Sequence, residues 1–253
     1  MDVPEAMLLV AAGLTAGTVN AVAGGGSIIT FPALIAIGLP PIAANVTNSL
    51  SVFPGYLASA AGSRADLPDR RRLALLLPTT VLGAVGGATL LLRTPARAFE
   101  LVVPFLVLAA TALLAFQDRL RRLVGSPRDL SSRRRLLLLQ GMVALGAVYG
   151  GYFNAALGIM FVAVLALALD ETLTRINAIK NVLSTVVGLT AVAVYATFGP
   201  VNWAGVAVLA PATIVGGYAG ARLARRLPPA VLKVVIVGLG TAVSVLLLVR
   251  ALS

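Results

Sequence analysis

Apolar runs of about 15 to 22 residues follow one another along nearly the whole chain, close to the roughly 20 residues a helix needs to cross a bilayer core. Ten such segments can be read, near 5–23, 27–39, 46–62, 73–92, 98–117, 136–156, 158–169, 178–198, 203–221 and 230–251. They do not alternate polar and apolar positions, as the strands of a membrane barrel must. Only 11% of the 253 residues are charged, against roughly 25% in a soluble domain, and mean hydropathy is +0.98. Such a chain lacks the polar surface to face water on all sides. The expected fold is an all-α membrane protein, a polytopic bundle of eight to ten hydrophobic segments.

The chain contains neither cysteine nor histidine. Thiol chemistry, disulfides, histidine-ligated metals and Ser–His or Cys–His catalysis are therefore excluded, and neither an enzyme nor a metal or cofactor site is expected. The formal net charge of +11 could point to nucleic acid, but the basic residues sit in short loops between apolar runs. There they read as topology signals that attract anionic lipid at the cytoplasmic face, with no nucleic-acid partner. The opening Met1-Asp2-Val3-Pro4-Glu5 is acidic where a secretory signal is basic, so the first apolar run is expected to be a retained span.

The chain also matches itself at a fixed offset. One ungapped register aligns Gly13 with Gly146, Gly17 with Gly150, Gly25 with Gly158, Asn48 with Asn181, Ser51 with Ser184 and Gly55 with Gly188. It continues through Pro78 with Pro211, Gly83 with Gly216, Gly87 with Gly220 and Pro95 with Pro228. The agreement of Asn and Pro, rare residues here, marks a duplication. The halves are 1–117 and 136–253, joined by a basic linker at 118–135.

Arg119, Arg121, Arg122, Arg128, Arg133, Arg134 and Arg135 place that linker in the cytoplasm. Counting outward puts the 63–72 loop, with Arg64, Arg70, Arg71 and Arg72, on the same side, and both termini outside. Five segments per half is an odd number, so the halves run in opposite directions. Inverted repeats are a hallmark of secondary transporters, whose sites lie where the repeats meet. Segments 27–39 and 158–169 are too short to cross about 30 Å upright and could be half-helices.

Two groups of residues could recognise a ligand. Gly24, Gly25 and Gly26 interrupt an apolar region just before Ser27, and a glycine turn opening a helix is a ready anion site. In the second half Gly158, with Asn154 beside it, is what remains of this run. Asn48 and Ser51 share a helix face, as do Asn181 and Ser184. Two inverted copies would bring neutral amide and hydroxyl donors to a common centre, suited to an oxyanion. Both groups also have a plainer reading as helix packing and interhelical hydrogen bonding. Lys180, beside Asn181, could draw an anion to the cytoplasmic mouth or snorkel to the interface. Pro32, Pro78, Pro104 and Pro211 mark kinks or breaks, while Tyr149, Tyr152 and Trp203 could be interfacial anchors or ligand contacts. No Asp or Glu falls well inside a segment, which favours facilitated export or a proton carried by the substrate itself.

The stretch Ala16-Gly17-Thr18-Val19-Asn20-Ala21-Val22-Ala23-Gly24-Gly25-Gly26-Ser27, followed by Pro32 and by Ala43-Ala44-Asn45-Val46-Thr47-Asn48-Ser49, resembles the TauE/SafE sulfite-exporter family. The resemblance covers nearly the whole chain and is more specific in the first half. It implies a transporter in a bacterial inner membrane that exports sulfite, organosulfonates or related sulfur oxyanions. A channel or carrier for another anion or a small organic acid is the alternative. Oligomeric state is not legible.

Overall fold

In a computed structural model of the chain, the described residues are 1–22, 25–67, 70–123, 132–155, 157–169 and 171–223, with 234, 237–238, 241–242, 244–245 and 248–249. Among these lie nine helices: α1 (Val3–Val22), α2 (Ser27–Ala36), α3 (Pro41–Gly62), α4 (Arg70–Arg93), α5 (Ala96–Leu123), α6 (Ser132–Tyr152), α7 (Leu157–Ala168), α8 (Leu173–Phe198) and α9 (Trp203–Leu223). A 3-10 turn covers Arg64–Asp66. Each of the first nine apolar segments is thus a helix. The tenth, near 230–251, lies mostly outside the described residues, as do Gly24 and the middle of the basic linker. Helices α5 and α6 run into that linker from both sides, leaving 124–131 between them.

The chain is an all-α bundle whose outer surface is apolar. Leu82, Leu145, Phe198 and Trp203 are among the large side chains exposed on it, a face that fits lipid and not water. Three helices are individually long and apolar enough to cross a membrane: Val3–Asn20 of α1, Leu73–Arg93 of α4 and Arg175–Phe198 of α8. Helix α3 is long enough as well, at 22 residues, but it is diluted by Asn45, Thr47, Asn48, Ser49 and Ser51, all buried. It is a polar-striped helix held inside the bundle. At about 1.5 Å per residue, α2 and α7, with 10 and 12 residues, extend only some 15 and 18 Å. They are half-helices, each following a break in the chain.

Helices α1 and α9 pack together, as do α4 and α6, and α3 lies against both α8 and α9. Small residues permit the close crossings. A Cβ on Gly17 would come within 2.2 Å of the Thr213 carbonyl, and one on Gly87 within 2.0 Å of the Val148 carbonyl. The core forms two clusters. One joins Leu9, Phe31, Leu34, Val46, Phe99, Phe153 and Leu209; the other joins Leu76, Val143, Leu157, Phe161, Leu165 and Leu183. The prolines at 32, 78, 104 and 211, and Pro54 with them, all sit inside continuous helices.

Candidate functional site

One face of α3 carries Asn45, Asn48, Val52 and Tyr56, spaced three, four and four residues apart, so they form a stripe along the helix. Helix α2 lies against this stripe. Thr30 Oγ1 donates to Asn48 Oδ1 at 2.5 Å. One turn earlier, Ser27 Oγ lies beside the Tyr56 hydroxyl without forming a hydrogen bond to it. The α6–α7 break closes the other side. The Tyr56 hydroxyl donates to Asn154 Oδ1 at 3.3 Å, and Asn45 Nδ2 donates to the Tyr152 carbonyl at 2.8 Å. Two helix breaks, one after α1 and one after α6, therefore converge on the same tyrosine.

Each break has a local cause. At the first, the Gly26 N–H donates to Asn20 Oδ1 at 2.8 Å, while a Cβ on Gly26 would meet the Ala16 carbonyl at 2.4 Å. Glycine is required there because α2 starts pressed against α1. At the second, Asn154 takes a left-handed backbone with φ 61°, a conformation Asn tolerates better than most residues. The ring of Phe153 packs edge-on against Phe31 at 5.4 Å and also meets Phe99 and Tyr149. Aromatic rings thus pack beside the polar cluster.

The cluster contains polar atoms that the protein leaves unsatisfied. Ser27 Oγ, Asn45 Oδ1, Asn48 Nδ2, Asn154 Nδ2 and Ser184 Oγ are fully buried and have no hydrogen-bond partner among the described residues. Leaving one such group unmade costs about 1–3 kcal/mol, so buried polar groups are normally paired. Two of the five are amide donors, two are serine hydroxyls and one is an amide acceptor, on α2, α3, α8 and the α6–α7 break. Among the described residues no group of His, Cys, Asp or Glu could hold a metal ion.

The candidate residues read from sequence divide accordingly. Ser27, Asn48, Asn154 and Ser184 carry unpartnered buried atoms, and Gly25 and Gly26 are buried just before Ser27. Gly158 is buried in the first turn of α7. Ser51 turns its hydroxyl back to the Thr47 carbonyl at 2.8 Å, and its own carbonyl accepts from Thr213 Oγ1 of α9. Asn181 is directed elsewhere. Its Nδ2 donates to Ser63 Oγ at 3.0 Å and to the Ser59 carbonyl at 3.3 Å, tying α8 to the far end of α3. Lys180, beside it, is partly buried one turn before Ser184. Asn48 and Asn181 are equivalent in sequence, but they do not offer matching donors to one centre.

Sequence reasoning missed Tyr56 and Thr30 as members of the cluster. The available signal was the stripe itself: polar residues at helical spacing within an apolar segment, and Thr30 three residues beyond Ser27.

Known proteins bear on the chain as a whole. A probable membrane transporter protein of Haemophilus influenzae is 29% identical over 219 residues, covering 85% of this chain and 84% of that protein. The Escherichia coli K12 probable membrane transporter protein YfcA is 27% identical over 224 residues, covering 85% and 77%. The probable membrane transporter protein ORF9 of a Sinorhizobium species is 27% identical over 247 residues, covering 96% and 92%. No solved structure matches the chain. The profile of the family described as Sulfite exporter TauE/SafE matches residues 9–247; the protein is a multi-pass membrane transporter, and it belongs to that family.

Proposed function

We propose that the protein exports a small sulfur oxyanion, sulfite or an organosulfonate, across a bacterial inner membrane by alternating access. The reading rests chiefly on the unpartnered donors of Ser27 and Asn154 on either side of Tyr56, with Asn48 two turns along α3 and Ser184 on α8. An oxyanion accepts hydrogen bonds on several oxygens at once, and neutral donors can bind it without a permanent buried charge. The family's description supplies the sulfur chemistry.

Alternating access requires two units that rock against each other, and the helix pairing supports two inverted repeats, 1–117 and 136–253. The sequence offset carries α1 onto α6, α2 onto α7, α3 onto α8 and α4 onto α9. Under that exchange the pair α1·α9 becomes α6·α4, and α3·α9 becomes α8·α4; all four pairs are present. The pair α3·α8 maps onto itself. The two helix breaks fall close to one another under the offset, Leu157 at the start of α7 corresponding to Gly24, three residues before α2 starts at Ser27. With the basic linker in the cytoplasm, both termini lie outside.

The test is flux from proteoliposomes loaded with sulfite, methanesulfonate, sulfate or small carboxylates, for the parent protein and for Tyr56→Phe. Sulfite and sulfonate are expected to leave faster than from empty vesicles. The phenolic hydroxyl holds Asn154 by its Oδ1, so removing it should let that amide turn away and lower the flux roughly tenfold, about the worth of the Asn154 Nδ2 bond to a charged group. Efflux of carboxylates alone, with no sulfur oxyanion moved, would refute the reading.

A further inference from the structure

The transport site contains an acceptor as well as donors. Asn45 Nδ2 donates to the Tyr152 carbonyl, and this bond fixes the amide's orientation, because the flipped amide would set two carbonyl oxygens against each other. Asn45 Oδ1 is therefore an acceptor, fully buried and without a partner. It lies at the α6–α7 break, held against Tyr152 two residues before Asn154, whose Nδ2 is an unpartnered donor. On its own helix it is one turn from Asn48, which contributes a second unpartnered amide.

We propose that this site takes its oxyanion in singly protonated form, the ligand's O–H donating to Asn45 Oδ1 while its other oxygens accept from Asn48 Nδ2 and Asn154 Nδ2. A fully deprotonated dianion has no proton to give and would press a lone pair against Asn45 Oδ1. It would also bring a second charge between α2, α3 and the α6–α7 break, where the described residues include no carboxylate and no cation and burying charge is expensive. With a protonated ligand the proton crosses on the substrate, so no acidic relay is needed within the helices. The inference rests on the transport reading above and specifies which species is moved.

The titratable and charged groups near Asn45 are few among the described residues. Tyr152 presents the carbonyl that Asn45 bonds and Tyr195 bonds the Gly151 carbonyl beside it; Tyr149 lies one turn back on α6, Tyr56 three turns along α3, and Lys180 at the far end of α3, beside Asn181. Glu100 of α5 is paired with Arg97 at 3.5 Å, Glu5 stands near the start of α1 next to the amino terminus, and Tyr218 of α9 is exposed; α2 contributes none. Any titration of the protein itself acts on every substrate alike. A permanent monoanion lacking an O–H, methanesulfonate, is therefore the internal reference.

The experiment compares initial efflux of sulfite and methanesulfonate from proteoliposomes, each corrected for empty vesicles, at a series of pH values spanning the second ionisation of sulfite. Relative to methanesulfonate, sulfite flux is expected to fall about tenfold per pH unit above that ionisation, following the protonated fraction. External pH should drop in step with the sulfite released. Asn45→Leu removes the acceptor, and below the ionisation it should narrow the preference for sulfite over methanesulfonate by roughly tenfold. A sulfite-to-methanesulfonate ratio that stays constant or rises with pH would overturn the proposal. So would an Asn45→Leu variant that transports with an unchanged ratio, the result expected if only water occupies the acceptor. If Asn45→Leu does not fold, the pH series on the unaltered protein decides alone. Failure to move either anion at any pH would overturn the transport reading itself, and is told apart by the absence of any signal to ratio.

Discussion

Gly86 and Gly87 are neighbours on α4, and the packing assigns them opposite consequences. A Cβ on Gly86 would meet nothing within 4 Å. A Cβ on Gly87 would lie 2.0 Å from the Val148 carbonyl oxygen and 2.8 Å from the Tyr152 backbone nitrogen of α6. A carbon normally stands about 3.3–3.6 Å from a carbonyl oxygen even in a close C–H···O contact, so α4 and α6 would have to part by over an ångström. The obstruction is backbone on both sides, and no side chain can swing away to relieve it. Overpacking of this kind costs about 1–3 kcal/mol. Gly86→Ala, by contrast, removes a helix-interior glycine at no steric cost and should gain roughly 0.5–1 kcal/mol.

The two alanine variants should thus differ by about 2–4 kcal/mol, a melting separation of roughly 4 °C or more for a chain of this size. Thermal unfolding of the purified protein in detergent, followed by circular dichroism, measures it. Gly216→Ala should behave like Gly87→Ala, because its Cβ would meet the Leu14 carbonyl of α1 at 2.2 Å. If Gly86→Ala and Gly87→Ala melt together, α4 does not approach α6 in this way. The reasoning about paired close crossings would then fall.

Two further outcomes follow from the polar residues. Asn154→Gly and Asn154→Ala both leave the buried Tyr56 hydroxyl without its acceptor, but Asn154 holds φ 61°, so the alanine variant should be less stable than the glycine one by a further margin of about 1–2 kcal/mol through backbone strain; both should lower anion flux, and full flux from the glycine variant would remove Asn154 from the site. Asn48→Ala removes an amide with an unpartnered buried nitrogen, while Asn181→Ala breaks bonds to Ser59 and Ser63. Flux measured beside melting temperature should therefore show Asn48→Ala hurting transport more than stability and Asn181→Ala the reverse, and the opposite order would contradict the assignment.

The sequence made the scaffold legible because each cue was local. Nine helices match apolar runs, and the brevity of α2 and α7 follows from the glycines before Ser27 and from Asn154 before Leu157. The small residues at Gly17, Gly87 and Gly216 mark the close crossings of α1 with α9 and of α4 with α6. What local cues could not give was the direction of each polar group. Ser51 and Ser184 are equivalent in sequence, yet Ser51 bonds back to its own helix and Ser184 does not. That choice depends on a hydroxyl rotor and on distant neighbours such as Thr213. Tyr56 escaped notice because a tyrosine in an apolar segment reads equally well as an interfacial anchor.

The asymmetry of the site on a paired scaffold is itself informative. If the Asn and Ser positions served only to join helices, each would be expected to find a partner, as Asn181 does with Ser63 and Thr185 Oγ1 with the Tyr56 carbonyl at 3.0 Å. Instead five buried atoms stay unpartnered, four of them on α2, on α3 and at the α6–α7 break, and the fifth on α8. Alanine or valine at those positions would pack without the penalty of about 1–3 kcal/mol that each unmade bond carries. Among the described residues most side-chain hydrogen-bonding groups are paired, and the exceptions lie on the elements that meet around the two breaks, which a ligand completing those bonds would explain better than imperfect packing does. In the proposed pair of repeats each half supplies one break. The first half supplies Ser27 and the stripe of Asn45, Asn48 and Tyr56, and the second supplies Asn154 and Ser184, so neither half could form the site alone.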